Sequence, residues 1–140
     1  MSASNTSRVP KRALSVLITD DNHDVVVTLS ALLTHEGHIV HTCTNGTHAL
    51  EMIKRVRPAV CILDIVMPGL NGFDIAREIH ALQLGQRPVL VAISGQYMNP
   101  SDAFLARSAG FDHFFPKTAD PRELLGLLDI VAGGQDPSAV

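Results

Sequence analysis

The chain has 140 residues, of which 46% are hydrophobic and 18% charged, and its formal net charge is -3. This length suits one domain, the composition argues against a disordered chain, and the weak negative charge provides no basic field for nucleic acid. No apolar run is long enough to cross a membrane, and the first residues lack the apolar stretch of a signal peptide. We therefore expect a cytoplasmic protein without membrane or nucleic-acid partners.

Short apolar runs bounded by turn residues predict five strands, at residues 14–19, 38–43, 59–63, 88–93 and 112–115. Segments whose apolar residues recur at helical spacing predict five helices, at residues 22–36, 49–56, 73–82, 99–109 and 120–131. Because strands and helices alternate, each crossover contains a helix, which requires a parallel sheet covered on both faces. The sequence thus predicts a doubly wound, three-layer α/β/α fold with a five-stranded parallel sheet.

Polar segments lie at both ends of the chain. Residues 1–13 are rich in Ser, Asn and Thr and predict a disordered arm, whereas the folded domain is expected to span residues 14–131. Residues 132–140 predict a disordered tail. No second domain fits into this length.

The side chains that most often bind transition metals have a structural interpretation in this sequence. Cys43 and Cys61 lie in strand-like runs and are expected to be reduced residues of the core. His35, His38 and His41 have no spacing typical of a zinc site, so we expect them on the solvated surface.

Polar side chains follow four of the five predicted strands. Asp20 and Asp21 follow the first strand, Asp64 the third, Ser94 the fourth and Lys117 the fifth. The carboxyl ends of parallel strands meet at one edge of the sheet, where doubly wound folds bind their ligands. Three crowded carboxylates stay ionised only with a cation, and oxygen-only ligands favour Mg²⁺. The sequence therefore predicts a magnesium site at this edge.

The same set of groups is suited to phosphoryl transfer. Mg²⁺, the Ser94 hydroxyl and the Lys117 ammonium would neutralise and bind the oxygens of an incoming phosphoryl group while a nucleophile attacks in line. An aspartate can be that nucleophile and become an acyl phosphate. Asp64 is the best candidate, because its strand is the most apolar and the loop that follows it is rich in turn residues.

Four motifs in this order make the chain resemble a receiver domain of the response regulators of two-component signalling, over about residues 14–131. They are the pair Asp20-Asp21, the run Asp64-Ile65-Val66-Met67-Pro68-Gly69-Leu70-Asn71-Gly72, the strand end Ala92-Ile93-Ser94-Gly95, and Lys117 after the last strand. Each motif alone is weak evidence, but all four at this spacing are specific. The resemblance implies the flavodoxin-like fold of such receivers and a phosphoaspartate.

The resemblance assigns a role to each residue of the predicted metal site. Asp64 would be the phosphoacceptor. Asp21 and Asp64 would bind Mg²⁺ directly together with the backbone carbonyl of Val66, and Asp20 would act mainly through a bound water molecule.

The resemblance also implies how phosphorylation is sensed. Ser94 and Lys117 would bind the phosphoryl oxygens, and Ser94 would act as a switch together with Phe114, which occupies the position of the family's aromatic switch residue. The chain departs from the family around the lysine, where Pro116 precedes Lys117 and Thr118 follows it. The family usually has a proline after the lysine, with a cis bond, and Phe114 lacks the hydroxyl of the more usual tyrosine.

The implied protein is a stand-alone response regulator without an output domain. It would receive its phosphoryl group from a histidine kinase or a histidine phosphotransfer protein, and would catalyse only its own phosphorylation and dephosphorylation. Its output would be an unknown downstream protein or a homodimer, contacted through the face formed by residues 99–131, on or near which lie Arg107, Asp112, His113 and Arg122.

Three alternatives stay open at this stage. The chain could be a receiver cut from a hybrid histidine kinase, or a pseudo-receiver that only binds a partner. A small hydrolase or nucleotide-binding α/β domain is the third, but it would need a glycine-rich loop after the first strand, and the segment Asp20-Asp21-Asn22-His23 has no glycine.

Overall fold

The computed structural model of the protein describes residues 12–83, 85–95 and 100–133. The strands are β1 (Ser15–Thr19), β2 (Ile39–Cys43), β3 (Val60–Asp64), β4 (Val89–Ser94) and β5 (His113–Pro116). The helices are α1 (His23–His35), α2 (Gly46–Val56), α3 (Gly72–Ala81), α4 (Pro100–Ala109) and α5 (Pro121–Ala132). The predicted alternation of strands and helices is confirmed. Most of the predicted arm and tail, and the predicted helix cap at Asn99, lie outside the described residues.

The five strands form one parallel sheet in the order β2-β1-β3-β4-β5, which confirms the doubly wound fold. The strand order reverses next to β1, so the crevice for a ligand lies at the carboxyl ends of β1 and β3. β5 is an edge strand, as expected from Pro116, which lacks a backbone donor. No helix of the described part of the chain is both long and apolar enough to span a bilayer.

Two apolar layers hold the helices against the sheet, because successive strand residues point to opposite faces. α2, α3 and α4 cover one face, where the buried strand residues include Leu17, Leu63 and Leu90. α1 and α5 cover the other face, above Ile18 and Ile62. Full burial of each such side chain contributes about 1.5 to 3 kcal/mol, so the two layers fix the strand ends rigidly.

Asparagine and aspartate caps determine where most of the helices begin. The Asn22 side chain accepts hydrogen bonds from the backbone of the first turn of α1, and the Asn45 side chain accepts one from His48 N at 2.9 Å. Asn71 forms a capping box with Asp74 at the start of α3, and Asp120 caps α5. Each cap satisfies a backbone amide that the helix itself leaves unpaired.

His38 is buried, which corrects the expectation that it lies on the solvated surface. Only 6% of His38 is exposed, and its Nδ1 accepts a hydrogen bond from Leu14 N at 3.1 Å. The turn at Gly37, with φ of 95°, brings the ring against the start of β1. The prediction for Cys43 and Cys61 is confirmed, since both are buried free thiols.

Two helical glycines give a matched test of how tightly the helices pack. A Cβ atom added at Gly46 would lie within van der Waals overlap of the Leu70 carbonyl oxygen, whereas one added at Gly126 has nothing within 4 Å. We expect Gly46→Ala to lower the free energy of unfolding by at least about 2 kcal/mol, because the backbone itself must shift. Gly126→Ala should raise it by about 0.5 to 1 kcal/mol through helix propensity. Urea unfolding of both variants measures the difference. Equal changes in the free energy of unfolding would contradict the close packing of Gly46 against Leu70.

Candidate functional site

Asp20 and Asp64 are buried carboxylates at the carboxyl ends of β1 and β3. Asp20 is fully buried and 3% of Asp64 is exposed. Asp20 Oδ1 accepts a hydrogen bond from Asn22 N at 2.9 Å, and Asp64 Oδ1 accepts one from Val66 N at 3.4 Å. The backbone that follows each strand therefore orients the carboxylate toward the crevice.

Asp21 completes a cluster of three acids. One carboxylate oxygen from each of Asp20, Asp21 and Asp64 lies within 4.8 Å of the other two. Asp21 is exposed, so the cluster opens to solvent on one side and is buried on the other. Donors that are all oxygen, at this spacing and with one open side, fit a hard divalent cation such as Mg²⁺.

Lys117 contacts the buried half of the acid cluster. Its Nζ lies 2.8 Å from Asp20 Oδ2 and 3.1 Å from Asp64 Oδ2. Its backbone N donates to the Ser94 carbonyl at 2.8 Å, which fixes the start of the loop after β5. All peptide bonds among the described residues, including Lys117–Thr118, are trans. The lysine thus contacts the acids although a proline precedes it and does not follow it.

Ser94 and Phe114 lie on the strands beside the cluster. Ser94 is the last residue of β4 and is buried, directly beside the backbone of Lys117. Phe114 pairs with Ala92 in the register between β4 and β5, and its half-buried ring packs on the sheet face that carries α4. Phe115 packs on the opposite face, with α5.

Two residues support the site although the sequence patterns did not single them out. The backbone N–H of Asn22 donates to the Asp20 carboxylate and orients it, and the Asn22 side chain caps α1. Gly72 packs against β3, since a Cβ there would lie 2.8 Å from the Asp64 carbonyl oxygen. The sequence shows Asn71 followed by Gly72, but the contact of Gly72 with β3 depends on the tertiary fold.

Electrostatics at this edge are strongly coupled. Burial, and after it the charge of Asp20, raise the pKa of Asp64 to about 6 against the opposing effect of Lys117. Burial acts to lower the pKa of Lys117, but hydrogen bonds and charge from Asp20 and Asp64 outweigh it and hold that pKa above its ordinary value. One ammonium therefore compensates the acids only in part, which favours an additional cation.

The raised pKa of Asp64 predicts a pH-dependent stability when divalent metal is chelated. The pKa of Asp64 in the fold, about 6, lies above the ordinary value of an aspartate carboxyl group. The folded state then binds the proton more tightly, so the free energy of unfolding falls as pH rises from below 4 to above 6. We expect Asp64→Asn to remove this decrease and to be more stable at pH 7.5, by on the order of 1 to 3 kcal/mol.

Urea unfolding in EDTA at pH 4.5 and 7.5 tests this prediction. Asp24→Asn is the control, because it removes the same charge from an exposed position in the first turn of α1. If the free energy of unfolding depends on pH in the same way in the wild type and in Asp64→Asn, the raised pKa of Asp64 is contradicted.

Comparisons with known proteins agree with this geometry. The family model described as response regulator receiver domain matches residues 16–129. The protein PilH of Pseudomonas aeruginosa is 29% identical over 120 residues, which cover 85% of this chain and 98% of PilH. The response regulator MprA of Mycobacterium leprae is 32% identical over 112 residues, which cover 80% of this chain and 48% of MprA.

A solved structure shows the same fold. The signal receiver domain of NarL from Mycobacterium tuberculosis superposes with a TM-score of 0.78 at 26% identity. The alignment covers 90% of this chain and 100% of that domain.

Proposed function

The chain belongs to the response regulator receiver domain family, and we propose that it receives a phosphoryl group on Asp64 in a two-component or phosphorelay system. One observation carries this proposal. Lys117 Nζ contacts Asp20 and Asp64 at 2.8 and 3.1 Å, in a cluster whose third acid, Asp21, faces solvent. A cation beside a buried carboxylate, next to the strand end at Ser94, is the arrangement that an incoming phosphoryl group requires.

In the proposed reaction, a carboxylate oxygen of Asp64 attacks the phosphorus of a phosphohistidine. The new P–O bond forms as the P–N bond breaks, and the imidazole leaves with the electron pair of that bond. Lys117 is positioned to bind one phosphoryl oxygen, and Ser94 is assigned to a second. The product is an acyl phosphate at Asp64, and attack by water at its phosphorus would return the free carboxylate.

The residues that would bind Mg²⁺ are Asp20, Asp21 and Asp64, together with the backbone carbonyl of Val66. When bound, Mg²⁺ supplies positive charge to the transferring phosphoryl group. Asp20 is the acid held closest to Lys117, at 2.8 Å, and it therefore fits a role through a water molecule better than direct ligation. Among the described residues, none is recorded in a hydrogen bond or ion pair with the Asp21 carboxylate, so direct ligation of the cation meets no competing contact there.

The partners follow from this chemistry. The phosphodonor is proposed to be a histidine kinase or a histidine phosphotransfer protein in the cytoplasm, and the protein catalyses only its own phosphorylation and dephosphorylation. We propose a stand-alone response regulator, which the match to nearly the whole of PilH supports. The match covers about half of MprA, so the alternative that this chain is the receiver of a longer protein, such as a hybrid histidine kinase, stays open.

We propose that the output surface is formed by α4, β5 and α5, and we call it the output face. Phe104 and Leu105 of α4 are 69% and 52% exposed, which is unusual for large apolar side chains and suits a downstream protein or a second copy of the chain. Arg107 and Arg122 are exposed on the same elements. Asp112 directly precedes β5 and forms a two-point ion pair with Arg87, and it stays in the proposed set together with His113.

The proposed switch connects Asp64 to the output face. Phosphorylation would draw Ser94 inward, and the half-buried ring of Phe114 would turn to fill the space beside β4, because a packed interior does not tolerate a void. Phe114 has no hydroxyl, so this movement is driven by packing alone.

A small phosphodonor such as phosphoramidate tests the proposed function. The intact mass should increase by one phosphoryl group per chain with Mg²⁺ and should not change in EDTA, since uncompensated carboxylates repel the dianion. A folded protein that takes up no phosphoryl group would favour a pseudo-receiver that only binds a partner. Labelling that is independent of divalent metal would refute the proposed site.

Replacing Lys117 separates phosphorylation from its structural consequence. We expect Lys117→Ala to accept the phosphoryl group but to lose most of the conformational response, because the ammonium links Asp64 to the loop after β5. Amide shifts with and without beryllofluoride and Mg²⁺ measure the response at the output face. Lys54→Ala, an exposed lysine of α2, is the control that should respond fully. A full response in Lys117→Ala would show that the lysine does not transmit the signal.

A further inference from the structure

A second concave site lies at the opposite end of the sheet from the acid cluster. It is a concavity of about 630 Å³, formed where β1, β3 and β4 begin. The strands separate the two sites by about 16 Å, given five residues at roughly 3.3 Å each. A volume of this size is within the range that binds small organic ligands.

The charge of this concavity is its most informative feature. Among the described residues, the charged side chains that line it are Arg12, Arg57 and Arg87. The Asp112 carboxylate pairs with Arg87 and offsets its charge, so the positive charge open to a ligand is that of Arg12 and Arg57. This is unusual in a chain whose formal net charge is -3. We call this region the arginine concavity.

Two of the three guanidinium groups are held in place by the protein. Arg87 donates to both carboxylate oxygens of Asp112, at 3.2 and 3.3 Å, and to the Pro88 carbonyl. Arg12 donates through Nε to the Ala132 carbonyl at 2.9 Å, and no other acceptor for its guanidinium is recorded among the described residues. Held guanidinium groups lose little conformational freedom when they bind an anion.

Arg57 occupies a position where its backbone conformation favours glycine. It lies at the C-terminal cap of α2 with φ of 54° and ψ of 59°, in the left-handed region. Glycine is the usual residue there, and a branched or long side chain adds strain. Arg57 is exposed and lines the concavity from this position.

The rest of the lining is apolar. Ala13 and Ala59 are exposed, and Val89 and Val131 are half-buried, so these four residues provide an apolar surface on which a flat organic group can pack beside the arginines. Guanidinium groups bind phosphate oxygens in pairs, with charge-assisted hydrogen bonds. We propose that the arginine concavity binds a small organic polyphosphate of the nucleoside diphosphate class, with the phosphates on the arginines and the organic part on this apolar surface.

Calorimetric titration of the full chain with ADP tests this proposal, with EDTA present so that the acid cluster cannot bind the nucleotide through a metal ion. We expect saturable binding with a Kd below about 1 mM. Pyrophosphate tests the phosphate part alone and should bind more weakly than ADP. If pyrophosphate binds as tightly as ADP, the site is one for inorganic polyphosphate and the organic part of the proposal is wrong.

Arg57 allows folding and binding to be separated. Arg57→Gly suits the left-handed cap and should fold at least as stably as the wild type, yet it should weaken ADP binding about tenfold or more, because a charge-assisted contact is lost. Arg57→Lys should retain part of the affinity. Arg107→Gln removes the same charge from α4 and should bind like the wild type.

These outcomes are independent of phosphorylation at Asp64. Failure of ADP to bind, or equal weakening in Arg57→Gly and Arg107→Gln, would overturn the arginine concavity as a ligand site. Neither result would affect the proposed phosphoacceptor, and an Asp64 variant should bind ADP unchanged.

Discussion

We expect the Asp64→Ala variant to take up no phosphoryl group from a small phosphodonor in the presence of Mg²⁺. Asp64 is the acid of the cluster that ends the central strand β3, it is buried, and Lys117 lies 3.1 Å from its Oδ2. Without its carboxylate no group in the proposed mechanism can attack phosphorus. Intact-mass measurement after incubation with phosphoramidate gives the result directly.

Loss of labelling has meaning only in a folded variant. The substitution removes a buried acid whose pKa is raised by burial, so the free energy of unfolding at neutral pH should not fall. Asp24→Ala, an exposed aspartate of α1, is the matched control and should be labelled like the wild type. Labelling of Asp64→Ala at the wild-type level would show that another residue is the phosphoacceptor.

We expect the second large effect in Mg²⁺ binding. Asp21→Ala should weaken Mg²⁺ binding by more than about tenfold, because it removes a charged ligand from a cation that has few protein ligands. Asp20→Ala should weaken it less, since Asp20 is proposed to act through water and its Oδ2 contacts Lys117 at 2.8 Å. Calorimetric titration with Mg²⁺ compares the two variants. Equal losses would contradict the ranking of the two acids.

The repeated pattern of an apolar strand that ends in a polar side chain made the sheet and its functional edge predictable from the sequence. In a parallel sheet, such strand ends must meet at one edge, so Asp20, Asp64 and Lys117 could be placed together without a structure. The spacing of apolar residues indicated α2 from Ala49 onward but did not locate where the helix starts. Asn45 caps the helix earlier, and the turn between contains few apolar residues.

Features that depend on long-range contacts were not predictable. His38 is buried by its hydrogen bond with Leu14, and nothing near His38 in the sequence indicates that contact. The ion pair of Asp112 with Arg87 across the start of β4 is a second long-range contact that the sequence does not indicate. The arginine concavity was not predictable either, because its arginines lie far apart in the sequence and only the fold brings them together where the strands begin.

Mapping the phosphorylated residue tests the central proposal most directly. Borohydride reduces an acyl phosphate of aspartate to homoserine, which peptide mass spectrometry locates in the sequence. After incubation with phosphoramidate and Mg²⁺, we predict homoserine at position 64 and at no other aspartate, and none when EDTA replaces Mg²⁺. Homoserine at another position, or a phosphoryl group on Ser94 or a histidine with Asp64 unmodified, would contradict the account.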